Sequence, residues 1–242
     1  MINLKLSLTA LLLTTVAIQA QKPTAIKPEK HISLQIPEPS DVCMSADGTK
    51  MYVVSDSGYL FETDLEGSIL RKADYLGIDD EAVYADDQFV YAVEETTRKI
   101  RVFDAATLKL IRTVNLSYSG GRNKGYEALT FNKAKNKFVI LTEKDPVYLF
   151  ELDTDLKVEN EINLSKIARD ISAATYYNNA LWLLSDEDRT LFRLNPKTYE
   201  VIAKWTLPLI NPEGLAFDKA GNLLVLSDDM KTLYFFKNPE KQ

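Results

Sequence analysis

A fivefold internal repeat constrains this chain more than any other feature. Five stretches share one pattern: PSDVCMSADGTKMYVVSDS (39–57), DEAVYADDQFVYAVEET (80–96), YEALTFNKAKNKFVILTEK (126–144), ISAATYYNNALWLLSDE (171–187) and PEGLAFDKAGNLLVLSDD (212–229). Each is an apolar run rich in β-branched and aromatic residues, then a turn, then a second such run. Anchored on Ser40, Glu81, Glu127, Ser172 and Glu213, the units step by 41, 46, 45 and 41 residues. A period in the low-to-mid forties is that of a four-stranded propeller blade. The turns are Asp47-Gly48, Asp86-Asp87, Lys135-Asn136, Asn178-Asn179 and Gly221-Asn222. All but the third consist of residues that favour or tolerate turn geometry. Two further strand-like runs follow in each of the first four units, and no segment carries the period of a long amphipathic helix. The expected class is therefore all-β.

The fifth unit stops after TLYFFKN with three strands. A strand of the missing type stands at the other end, in HISLQIPEPSD (31–41), which resembles KWTLPLINPEG (204–214). The expected architecture is a five-bladed β-propeller whose last blade is closed by the N-terminal strand, so that joining the ends hides the edges of an open sheet.

The segment before the repeats is different. MINLKLSLTALLLTTVAIQA has an early Lys5, an apolar stretch and a small residue, Ala20, ahead of a polar segment. It reads as a secretory signal peptide cut after Ala20, too short in its apolar core for a comfortable span. Residues 21–30 read as a linker and 31–242 as the propeller. The expected location is periplasmic or secreted. The single cysteine, Cys43, permits no internal disulfide despite export. A formal net charge of −6 opposes nucleic acid and anionic membranes and favours a cation or a basic partner.

The acids have a pattern of their own. In a blade, the first strand lines the axis and pairs antiparallel with the second, so the start of one neighbours the end of the other. First strands start with Glu81, Glu127 and Glu213, or with Ser40 and Ser172, which have Glu38 and Asp170 two places earlier. Second strands end in Asp56, Glu95, Glu143, Asp186 and Asp228. About eight carboxylates are thus expected around one mouth of the channel. They cannot all ionise without cost unless a cation joins them. A ring of many oxygens suits Ca²⁺ better than Mg²⁺, which keeps several waters. Asp after a strand is an ordinary turn former, whereas Glu is depleted in strands, so the matched Glu81, Glu127 and Glu213 carry the signal. Arg98, Lys124, Lys144 and Arg169 are local cations that could neutralise the ring instead.

Other chemistry is missing. The one histidine, His31, falls on the closing strand, away from the axis, which argues against a Ser–His–Asp triad. One Cys and one His exclude a Cys/His zinc site. There is no phosphate loop or dinucleotide fingerprint among nine glycines. Trp182 and Trp205 lie in apolar runs and read as packing residues.

The pieces EPSDV, DDEAV, KGYEAL, DISAA and NPEGLAFDKAGNLLVLS, with TEKDP and LSDEDRTLF, resemble the SdiA-regulated (YjiK-like) family over nearly all of residues 31–237. The resemblance implies a five-bladed propeller of exported bacterial proteins, distantly similar to NHL-repeat propellers, with a calcium site and no established enzymatic activity. Carried over position by position, it points to Glu127 in GYEAL, Glu143 in TEKDP and Glu213 in NPEGL, with Glu81 and Glu95 as the matching acids of the second unit. Three departures stand out: Asp41 where a Gly is usual, Ala173 in the fourth unit, and SDDM where Glu then Pro is usual. The function expected is a calcium-binding module, monomeric and without a membrane span, for an unknown small-molecule or protein ligand. The alternatives are a calcium-dependent hydrolase of lactonase or phosphoesterase type, and a purely structural propeller whose acids are balanced by Lys and Arg.

Overall fold

The computed structural model describes residues 23–117 and 125–241. The expected signal peptide, and Lys124 of KGYEAL, lie outside them. After β1 (Thr24–Ala25) and β2 (Lys30–Ser33), the chain builds five blades in order. Blade 1 is β3 (Pro39–Met44), β4 (Met51–Ser55), β5 (Tyr59–Thr63) and β6 (Ile69–Lys72). Blade 2 is β7 (Asp80–Ala85), β8 (Phe89–Glu94), β9 (Lys99–Asp104) and β10 (Leu110–Asn115). Blade 3 is β11 (Tyr126–Asn132), β12 (Lys137–Thr142), β13 (Tyr148–Leu152) and β14 (Val158–Asn163). Blade 4 is β15 (Ala173–Tyr177), β16 (Ala180–Ser185), β17 (Thr190–Leu194) and β18 (Val201–Thr206). Blade 5 is β19 (Pro212–Phe217), β20 (Leu223–Ser227) and β21 (Thr232–Phe236). The inner strands β3, β7, β11, β15 and β19 touch their neighbours in a closed cycle. The fold is an all-β five-bladed propeller. Among the described residues, no helix is long and apolar enough to cross a membrane.

Each second strand reads as a continuous apolar run rather than an alternating one, and the packing explains why. Among the described residues there are five apolar clusters, one at each blade–blade interface. On β16, Ala180, Trp182 and Leu184 face blade 5, while Leu181 and Leu183 face blade 3. On β4, Met51 and Val53 face blade 5, while Tyr52 and Val54 face blade 2. A strand buried on both faces needs apolar residues at every position. Trp182 and Trp205 stack with ring centroids 5.3 Å apart inside the interface between blades 4 and 5.

The N-terminal segment closes the ring. β2 pairs antiparallel with β21, with Lys30 opposite Phe235 and Ser33 opposite Thr232. His31 is on this strand and exposed. Part of the expected linker is itself structured: β1 adds in parallel to β18, with Thr24 opposite Trp205. Ile26, which follows, is buried in the cluster between blades 4 and 5, a contact worth about 1.5–3 kcal/mol. The turn that the sequence pattern fits least, Lys135-Asn136, places Asn136 at φ 55°, a left-handed backbone that Asn tolerates.

The axis is tied at its waist by Asp41. Its carboxylate is fully buried and accepts three backbone N–H bonds, from Val42 (2.8 Å), Val83 (2.9 Å) and Leu215 (3.2 Å). One side chain thereby joins the inner strands of blades 1, 2 and 5. Burial pushes the carboxyl up to about 8, and the three donors oppose that rise. Gly214 lets blade 5 come this close: a Cβ there would lie 3.1 Å from both the Asp41 Cα and the Val42 nitrogen, and 2.8 Å from the Leu226 Cβ.

Candidate metal centre

The first residues of the inner strands meet the ends of the second strands at one mouth of the axis. The local device is a β-bulge. In blades 1, 2, 3 and 5 the pairing register slips at Ser40, Glu81, Glu127 and Glu213 respectively. A bulge leaves one residue outside the ladder and re-aims its side chain. Here those four side chains line the mouth. In blade 4 the equivalent Ser172 stands just before β15 and donates to the Pro212 carbonyl (2.9 Å).

The second-strand acids are set by backbone bonds. The Asp56 N–H donates to the Glu38 carbonyl (3.1 Å), the Glu95 N–H to the Asp79 carbonyl (2.8 Å) and the Glu143 N–H to the Gly125 carbonyl (3.4 Å). Glu38 and Asp79 reach this position through left-handed backbones, at φ 43° and 63°. Gly125 cannot be replaced freely, since a Cβ there would lie 2.5 Å from the Glu95 side chain. Its N–H donates to the Glu95 Oε1 (2.8 Å).

The outcome is a cavity of about 340 Å³ lined by eight carboxylates and two serines. Within it, one oxygen each of Asp79, Glu81 and Glu95 lies within 4.8 Å of the others. The same holds for Glu95, Glu127 and Glu143, so the two triads share Glu95 and bridge blades 2 and 3. Oxygens on opposite sides of a Ca²⁺ at 2.3–2.6 Å are about 4.6–5.2 Å apart, so each triad by itself has the span of a coordination sphere. These acidic groups could hold a metal ion.

The electrostatics lead the same way. Burial, then the charges of Glu81, Glu95 and Glu143, hold the Glu127 carboxyl well above the usual range. Burial, then Asp56 and Glu213, do the same to Glu81. Glu95 is raised by burial against the pull of the Gly125 N–H. Among the described residues no lysine or arginine pairs with Glu81, Glu95, Glu127 or Glu213. Lys144 reaches Glu143 and Glu187, and Arg169 pairs with Asp188 (2.7 Å), away from the ring.

Of the acids expected at this mouth, Glu81, Glu95, Glu127 and Glu143 fall into the triads. Glu213 lines the same cavity outside them, is held by the Asn211 amide (2.9 Å), and is pushed up to about 9 by burial and then Asp228. Asp228 is absent from the lining. Asp170 turns inward, taking a bond from the Ser185 hydroxyl (2.5 Å) and one from the Asp186 N–H (3.0 Å). Glu38 accepts from Ser57 at the surface. Asp79 is the acid the pattern missed. Its signal was present, because it stands two places before Glu81 as Glu38 stands before Ser40.

The sequence model of the SdiA-regulated family matches residues 23–237. The chain belongs to the SdiA-regulated family. Solved structures extend the likeness to other propellers. This SdiA-regulated chain superposes on the glutaminyl cyclase of Myxococcus xanthus with a TM-score of 0.71 at 12% identity, covering 89% of this chain and 97% of that one. It also matches the Cps50 (Swd1) β-propeller domain of Myceliophteria thermophila, with a TM-score of 0.51 at 15% identity, over 83% of this chain and 66% of that one. At these identities the likeness carries the fold alone.

Proposed function

We propose that this SdiA-regulated propeller is exported, binds Ca²⁺ at its acidic mouth, and acts as a monomeric binding module that presents this mouth to a ligand. The observation that supports the reading is the pair of carboxylate triads sharing Glu95, in which Glu81, Glu95 and Glu127 have no cationic partner among the described residues. A divalent ion there neutralises charge that the fold has gathered and staples blade 2 to blade 3. The all-oxygen donor set and the number of carboxylates favour Ca²⁺ over Mg²⁺.

Thermal unfolding in EGTA, then with Ca²⁺ or Mg²⁺ restored, tests this. Ca²⁺ at a hundredfold its dissociation constant stabilises by about 2.7 kcal/mol, and Mg²⁺ stabilises less. Glu127→Gln abolishes the calcium response while raising the stability of the metal-free protein, since it removes one of the crowded carboxylates. An unchanged melting temperature, with no calcium bound by elemental analysis, would reject the site.

A further inference from the structure

The other end of the axis holds a larger cavity, of about 830 Å³, that nothing in the acidic mouth explains. It is formed where the inner strands finish. Blades 2 and 3 supply one aromatic wall: Phe89, Tyr91, Tyr84, Phe138 and Phe131 are in successive ring contact, with centroids 5.0–6.2 Å apart. Blades 4 and 5 supply the other, where Tyr177 and Phe217 stack at 4.1 Å, nearly parallel. Cys43 and Met44 of blade 1 complete the lining. A concave site of this size, walled by rings and furnished with a few polar groups, is the form of a small-molecule pocket.

Two observations narrow the ligand. First, polar groups here have no protein partner. Among the described residues, the hydroxyls of half-buried Tyr84 and Thr175 make no hydrogen bond, and neither does the Asp87 carboxylate. Second, the charge is negative. Asp86, Asp87 and Asp218 stand at the rim against Lys133 and Lys219, and Lys219 already faces the charge of Asp47. Aromatic faces and the Asp87 carboxylate both attract a cation, and a net charge of −6 adds to the field.

We propose that this aromatic mouth is a second binding site, taking a small organic cation with an apolar body, such as an aromatic amine or quaternary ammonium compound. The site is independent of any metal at the opposite mouth.

Calorimetric titration of the full protein tests this, with the phenyltrimethylammonium ion as probe and benzyl alcohol and phenylacetate as neutral and anionic comparators. The cation binds saturably at one site per chain, with equal affinity in Ca²⁺ and in EGTA, and the anion binds most weakly. Asp87→Asn, at an exposed residue with no hydrogen bond to lose, and Phe131→Leu each weaken binding by about two- to fivefold. Circular dichroism and an unchanged calcium response confirm that both variants fold. The proposal is overturned if the cation does not saturate, if phenylacetate binds as tightly, if Ca²⁺ displaces the cation, or if neither variant weakens it.

Discussion

The two mouths of the axis are built from the same five strands and have opposite chemistry. Where the inner strands begin, bulges turn Glu81, Glu127 and Glu213 toward a small polar cavity. Where they end, Tyr84, Phe131 and Phe217 line a larger, aromatic one. Asp41 lies between them and ties three strands together. One pole gathers charge against its own repulsion and responds to protons and ions. The other gathers ring surface, with only a few acids at its rim. A propeller with a regular backbone can hold two independent sites because its inner strands expose only their ends.

The largest change expected is at the waist. Asp41→Ala leaves three buried N–H groups without an acceptor, at about 1–3 kcal/mol each where no water replaces it. Urea unfolding is expected to show a loss of about 3 kcal/mol or more and a loss of function at both poles. If one mouth keeps its ligand while the other fails, the poles are separable even at the waist.

The next largest effect divides the poles. Calcium is expected to add about 2.7 kcal/mol at a hundredfold its dissociation constant without altering affinity at the aromatic mouth. Gly125→Ala, which forces Glu95 aside, is expected to weaken calcium binding and leave the aromatic mouth intact. Parallel titrations of the two ligands on that variant would show any coupling.

A further effect confined to the acidic mouth is in pH. Glu213 is raised from 4.5 to about 9 in the folded protein. A carboxyl raised in this way favours folding fully below its unfolded pKa, and that contribution is lost as pH rises through the folded value. Metal-free protein is therefore expected to lose stability steadily from about pH 5 to pH 9. Glu213→Gln flattens the slope. Calcium, which replaces the protons, gains in effect over the same range. Melting curves at four pH values, with EGTA and with Ca²⁺, would reveal a slope of the wrong sign.

The blades, their number and the closing strand were legible because they depend on period and on apolar runs, which sequence carries directly. Most of the acidic mouth was legible because antiparallel pairing brings matched positions together. The rest depends on backbone detail. Nothing in DDEAV announces the bulge at Glu81 or the left-handed Asp79 that brings a further oxygen to the triad. Asp41 read only as a departure from the usual Gly; two of its three donors come from strands about 40 and 170 residues away. The aromatic mouth was hidden because Phe131 and Tyr177 lie in runs that look like core, and partly are. Which side of a ring meets solvent is decided by the neighbouring blade.

The closing strand also sets a clock. β2 precedes its partner β21 by about two hundred residues. At synthesis rates of about 5–20 residues per second, it waits about 10–40 s before that partner exists. For that interval every finished blade stands in an open row whose first and last faces are sticky. Anything that shields those faces, such as a chaperone holding the nascent chain, acts during this wait, and the yield of closed rings is decided there.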